Sequence, residues 1–329
     1  MLTKRQNMIE TLRGGKPDRF VNGYEALGLA MRNPFSAMNP RLKPGEMNVV
    51  NAWGVTKSWP LGTPGPFPVH TPERIVIKDI ERWRDYLKVP RAKFTAEEWA
   101  PYVEAAKKID RNEQFLTAYF APGVFEQCHY LMEIQNCLMA FYEFPDEMHE
   151  LIDCITRFEL DYAENVCQYL QPEALFHHDD WGSRTSTFMS PEMFREFIKP
   201  AYMKIYHYYK DHGVQLIIHH SDSYAATLVP DMIDMGVDVW QGVMSTNNIP
   251  ELIHRYGGQI SFMGGIDSDT VDYEGWTESA VAEQVRRACE ENGKLYFIPC
   301  TFQGLPISTY PGVYEAVARQ IDRMSEKMF

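Results

Sequence analysis

Leu216-Ile217-Ile218-His219-His220-Ser221-Asp222-Ser223 is an apolar run that stops on two histidines and an acid. A buried parallel strand is apolar along its body, and an α/β barrel keeps its chemistry at the C-terminal ends of such strands. This segment constrains the fold more than any other. His220 and Asp222 stand two apart, so on an extended backbone they point the same way. An imidazole and a carboxylate on one face can share a metal or a proton. Lys294-Leu295-Tyr296-Phe297-Ile298-Pro299-Cys300 ends in the same manner. If both strands sit in one barrel, His220, Asp222 and Cys300 can converge at its mouth.

The rest of the chain repeats the pattern. Residues 2 to 13 read as a short amphipathic helix, and Asp18 to Glu25 as a first strand. Residues 33 to 75 are rich in Pro, Gly and Asn and read as a long loop, either a lid or an ordered excursion. From residue 96 helix and strand alternate. Helices are expected over 96–111, 124–142, 146–170, 248–256, 277–291 and about 312–328. Strands are expected over 115–120, 174–180, 214–219, 237–240, 260–265 and 295–299. Ser190-Pro191-Glu192 has the cap, proline and acid of a helix start, and Pro200 should kink that helix. So many β-then-α units predict a TIM-type (β/α)8 barrel rather than an open doubly wound sheet. A length of 329 residues suits a single domain over 1–329, with an N-terminal extension and one long loop. No Gly-x-Gly-x-x-Gly follows a strand, which argues against a dinucleotide site.

The net charge of −13 and the lack of a basic patch argue against nucleic acid as a partner. No apolar run approaches a membrane span, and the first residues lack the apolar core of a signal peptide. Six cysteines at 128, 137, 154, 167, 289 and 300 form no Cys-x-x-Cys pair. A reducing cytoplasm is the expectation.

Under the barrel reading the strand ends gather Tyr24, Glu25, Glu126, His177, His178, Asp179, Asp180, His219, His220, Asp222, Gln241, Asp267 and Cys300. His, carboxylate and Cys around one ion make a zinc site with an open position. A metal-free acid/base pair of His220 and Asp222 is the competing role. His177-His178-Asp179-Asp180 is a rival metal segment, in which the strand alternation groups His178 with Asp180. Asp180 could also act on substrate or orient a ligand. Aromatic residues, among them Tyr24, Tyr119, Trp181 and Tyr224, crowd the same region and suit a flat apolar substrate.

Asp179-Asp180-Trp181-Gly182, Ser190-Pro191-Glu192-Met193-Phe194 with Lys199-Pro200, Gly264-Gly265-Ile266-Asp267 and Cys300 resemble the uroporphyrinogen decarboxylase superfamily over nearly the whole chain. The closer likeness is to its corrinoid-dependent methyltransferase branch. His220-Ser221-Asp222-Ser223 stands where that branch carries His-x-Cys-Gly. The resemblance implies zinc held by His220, Asp222 and Cys300. Asp222 in place of a cysteine leaves the ion harder and more electrophilic, which points to the O-demethylase relatives. Those relatives move methyl groups from aryl methyl ethers to the corrinoid cobalt of a separate protein. The Arg-rich N-terminal pattern of the decarboxylase is missing.

The expectation is a zinc-dependent methyltransferase, monomeric or homodimeric, acting with a small methyl donor and a corrinoid protein. Asp180 and Glu126 are its candidate catalytic residues. Tyr24, Trp181, His178 and Tyr224 are its candidate substrate contacts. The alternatives are a metal-free decarboxylase or lyase on a small carboxylic acid, and a non-catalytic ligand-binding barrel.

Overall fold

The computed structural model describes residues 1–329. Its ten strands are β1 (Leu27–Ala30), β2 (Val49–Val50), β3 (Thr56–Ser58), β4 (Phe67–Pro68), β5 (Phe115–Phe120), β6 (Ala174–His178), β7 (Leu216–His220), β8 (Val239–Val243), β9 (Ser261–Ile266) and β10 (Phe297–Thr301). β1 and β5 to β10 form one parallel sheet in that order, wrapped by helices. Both faces of these strands are covered, which is why they read as apolar runs rather than alternating ones.

The sheet curls into a barrel with two apolar layers. Leu27, Phe115, Phe176, Ile218, Val239, Met263 and Ile298, one from each strand, pack together on the inside. A far larger cluster, including Leu175, Ile217, Trp240 and Phe262, packs the other face against the helices. This is the TIM-type fold that the alternation predicts, with seven paired strands instead of eight. No ladder joins β10 to β1.

Residues 20–24 fill the gap. Val21 and Tyr24 belong to the inner cluster, although the segment is not a strand. Its polar groups go to the last helix, Val313–Met328, instead of a neighbouring strand. The Phe20 amide donates to Ser325 Oγ at 3.0 Å, and the Asn22 amide group donates to the Ala318 carbonyl at 2.9 Å. The first strand expected over 18–25 therefore lies later, at β1.

Residues 33–75 are not one irregular loop. β2, β3 and β4 form a small antiparallel sheet with β3 at its centre. The helix expected over 124–142 is two, Val124–Met132 and Ile134–Glu143, broken where Glu133 takes φ 75° and its carboxylate caps the second. The α-helix is interrupted just before Pro200. Pro200 sits in the first turn of Lys199–Asp211, directly after a π-helical turn at Phe194–Ile198. No helix is long and apolar enough to cross a membrane.

Candidate functional site

β6 and β7 run side by side in a register that pairs His177 with His219 and His178 with His220. Side chains alternate across a strand, so the two pairs face opposite ways. Phe176 and Ile218, two residues back, lie in the inner cluster, and this places His178 and His220 on the inner face at the mouth. His177 and His219 face the helices.

The inner pair meets Asp180. His178 Nε2 stands 3.5 Å from Asp180 Oδ2, and His220 Nε2 stands 3.6 Å from Asp180 Oδ1. One donor atom from each residue lies within 4.8 Å of the other two. These separations suit a metal. Two ligands held at about 2.0–2.1 Å by a tetrahedral zinc stand about 3.4 Å apart. The donor set is also right, because two imidazoles and a carboxylate leave one coordination position open.

Neighbouring residues fix the donors. Gln241 donates its amide N–H to the carbonyls of Thr301 and Gln303, so its oxygen faces His220 Nδ1 and accepts that proton. His220 Nε2 is then bare and free to ligate. The Asp222 amide donates to Asp180 Oδ1 at 3.0 Å. His178 Nδ1 is buried without a partner.

Glu126 closes one side, with Oε2 3.5 Å from His178 Nε2. It is held from two directions. Tyr130 donates to its Oε1 at 3.1 Å, and the Asp179 carboxylate accepts the Phe125 and Glu126 amides at 2.9 and 2.7 Å. Asp179 thus pins the start of the helix that carries Glu126, a role hidden in its sequence because the partners are more than fifty residues away.

Charge is crowded here. Burial would depress the His178 imidazole, but Glu126 and Asp180 outweigh burial and hold it up to about 10. Burial alone would raise Asp180, yet His178 and His220 keep it well below the ordinary carboxylate range. Burial pushes Glu126 up to about 8, against the pull of His178. Asp222 is raised well above its usual range by burial and then by Asp180. Burial and His178 lower His220 to about 4. These groups titrate as a unit. Without metal, burial and the neighbouring charges favour protons on His178, Glu126 and Asp222 and the charge on Asp180. A divalent ion would take the place of the His178 proton.

The expected trio of His220, Asp222 and Cys300 is not what comes together. β7 ends at His220, so the alternation that was to aim Asp222 beside it stops short. The Asp222 backbone serves Asp180, while its carboxyl group stays near enough to feel Asp180, His178 and Glu126. Cys300 lies in the inner apolar cluster, and a Cβ on Gly23 would stand 3.7 Å from its sulfur. Burial raises that thiol to about 12, so it is uncharged.

Tyr24 packs beside the site. Its ring lies 5.9 Å from that of Phe176, which stacks on Tyr119 at 5.8 Å, and its hydroxyl donates to the Gln303 carbonyl. Trp181 does not. It is fully buried on the helix side, stacked on His219 at 3.8 Å and bonded to Asp179. Tyr224 lines a separate hollow of about 300 Å³ with Pro230, Asn247 and Glu251.

The turn after β10 covers the histidines. A Cβ on Gly304 would stand 3.0 Å from His220 Cε1 and 3.1 Å from His178 Nδ1, so a side chain there would press on both imidazoles. Asp272 ties the turn down by accepting from Gln303 and from the Thr309 and Tyr310 amides.

Residues 49–323 match the uroporphyrinogen decarboxylase (URO-D) family. No curated protein sequence matches the chain. A solved methyltransferase from Methanosarcina mazei shares its fold, with 16% identity, a TM-score of 0.67 and coverage of 98% of this chain and 99% of that one. A D-allulose 3-epimerase from Methylomonas sp. aligns with 8% identity and a TM-score of 0.35, over 72% of this chain and 94% of its own.

Proposed function

We propose, from the premise that this chain belongs to the uroporphyrinogen decarboxylase family, that it is a zinc-dependent methyltransferase. It would move a methyl group from a small methylated substrate, an aromatic methyl ether, to the cobalt of a corrinoid carried by a separate protein. The observation that carries this reading is the convergence of His178, Asp180 and His220 on one point at the barrel mouth. The fold shared with a methyltransferase supports the same class.

His178, Asp180 and His220 would hold the ion. Zinc bound there would supply Lewis acidity toward an ether oxygen. Gln241 keeps the His220 tautomer that ligates, and the Asp222 amide keeps Asp180 in place. Tyr24, Tyr119 and Phe176 pack together beside His220, with Phe176 fully buried. Burial favours the protonated form of Glu126, which lies directly beside His178. Glu126 stands where it would donate a proton to an ether oxygen held at this site. Cys300 contributes an uncharged wall. The corrinoid protein would dock over the mouth, whose rim carries the β2–β4 sheet and the turn at Gln303. One barrel domain spans residues 1–329, working in a reducing compartment that keeps its six cysteines as thiols.

The test is methyl transfer from a methoxybenzene donor to cob(I)alamin, with zinc-loaded protein. Methylcobalamin should form, and both chelator and His220→Ala should abolish it. Carbon dioxide release from a small carboxylic acid that survives chelator would put a metal-free lyase in its place.

A further inference from the structure

The three residues at the mouth are not equally open. The side chains of His178 and Asp180 are 24% and 25% exposed, whereas that of His220 is 1% exposed. The turn between β10 and the last helix, residues 302–312, covers His220. A Cβ on its Gly304 would stand 3.1 Å from His220 Nε2, the nitrogen that faces Asp180. Any group brought to the His220 face would have to displace this turn first.

The turn has no helix or strand of its own, and none of its backbone amides bonds to a carbonyl outside it. One carboxylate holds it instead. Asp272 accepts from the Thr309 amide at 2.7 Å and from the Tyr310 amide and the Gln303 side chain at 2.8 Å. Bonds to a carboxylate are the strong kind. Asp272 is itself fixed, because its amide donates to the Ser268 carbonyl and closes the short helix Ser268–Val271. On the turn's other flank, Pro306 borders a hollow of about 430 Å³ with Leu29, Tyr314 and Asp322, at the seam where β10 and β1 do not pair. The turn therefore has space to move into. Gly312, at φ 85°, stands where it meets the last helix and can serve as a hinge.

Gln303 connects this turn to His220. Its carbonyl accepts from the Gln241 amide group at 3.2 Å, while its own side chain donates to Asp272. The oxygen of the same Gln241 amide group accepts from His220 Nδ1 and sets the tautomer. If the turn opened, Gln241 would keep only the Thr301 carbonyl, at 3.4 Å.

We infer that Asp272 is a positioning residue of the mouth: it latches the 302–312 turn over His220 and, through Gln303 and Gln241, holds the His220 tautomer that leaves Nε2 bare. Releasing the latch opens the His220 face and loosens its grip on a metal. Only this last consequence rests on the metal reading. The latch itself stands on the hydrogen bonds and the hollow beside the turn.

Acylation of imidazoles by diethyl pyrocarbonate, localised by mass spectrometry on the metal-free full chain, tests the latch without zinc. His219, stacked on Trp181 and bonded to Tyr206, is the internal standard for general loosening. Asp272→Ala should raise the His220 rate about tenfold or more and leave His219 unchanged. Asp272→Asn, which keeps the shape and replaces an acceptor with a donor, should act in the same direction. No rise at His220 in either variant, or an equal rise at His219, would overturn the latch. Zinc competition tests the route to the metal. Asp272→Ala should weaken zinc about tenfold, and adding it to Gln241→Leu should cost less than about twofold beyond Gln241→Leu alone. Additive losses would overturn the route through Gln303 and Gln241. A wild type that binds no zinc would sink the metal reading and this consequence with it, while the acylation rates still decide the latch.

Discussion

His177 and His219 face each other across β6 and β7, and so, one residue further on, do His178 and His220. The outer pair is closed off. His177 Nε2 is 2.8 Å from Glu159 Oε2, His219 Nδ1 is 2.6 Å from the Tyr206 hydroxyl, and His219 Nε2 donates to the Asp179 carbonyl at 3.1 Å. Burial depresses both imidazoles, His177 to about 3, so both are neutral packing groups. The inner pair has the same residue type, the same strands and nearly the same burial for His220, yet its Nε2 atoms face Asp180 at distances too long for hydrogen bonds. One step along a pleated strand thus separates a structural pair from a ligand pair. What distinguishes them is that the outer Nε2 atoms hydrogen-bond to the protein, while the inner Nε2 atoms do not.

The strongest way to break this contrast is at the adjacent acids. Asp179 serves the outer network, accepting from two backbone amides, Tyr202 and Trp181, and Asp180 serves the inner one. Asp179→Ala strands these donors in the interior and should cost about 3–5 kcal/mol in urea unfolding. Asp180→Ala should cost under about 1 kcal/mol and remove zinc binding instead. Equal destabilisation by the two would erase the distinction. Next in size, Gln241→Leu leaves His220 free to choose its tautomer, and zinc affinity measured by competition should drop about 10–100-fold. Its pH dependence should be steep. His178 is held charged up to about 10, so each zinc bound displaces a proton, and apparent affinity should rise about tenfold per pH unit between about pH 6 and 9. The sign follows from the raised value. The competing proton is held throughout that window and lost only above it. A flat profile would mean that His178 is not a ligand. The smallest effect should come from Gly304→Ala, whose methyl group would press on the His220 ring, weakening zinc by a few-fold as the tethered turn shifts.

Much of the barrel is legible from residues alone, because buried parallel strands must be apolar and their polar ends stand out against that background. The same alternation groups His178 with Asp180 correctly. For His220 and Asp222 it presumes that β7 continues past His220, and the strand ends there. The family resemblance points to the same trio, because a motif position does not say where a strand ends. The slip of the first strand has a related cause. Val21 and Tyr24 face the interior as strand residues would, but their segment's hydrogen bonds go to a helix more than 290 residues away. The small sheet of residues 49–68 has no signature at all. β2, β3 and β4 have two or three residues each, too short for a period to register, and they lie in Pro- and Gly-rich sequence that reads as loop.

The central claim is that the inner pair and Asp180, rather than His220 with Asp222 and Cys300, hold the metal. Elemental analysis of untagged wild type, His178→Ala and Cys300→Ser tests it directly. About one zinc per chain in wild type, kept in Cys300→Ser and lost in His178→Ala, is the predicted result. Zinc retained without His178 and lost without Cys300 would contradict it.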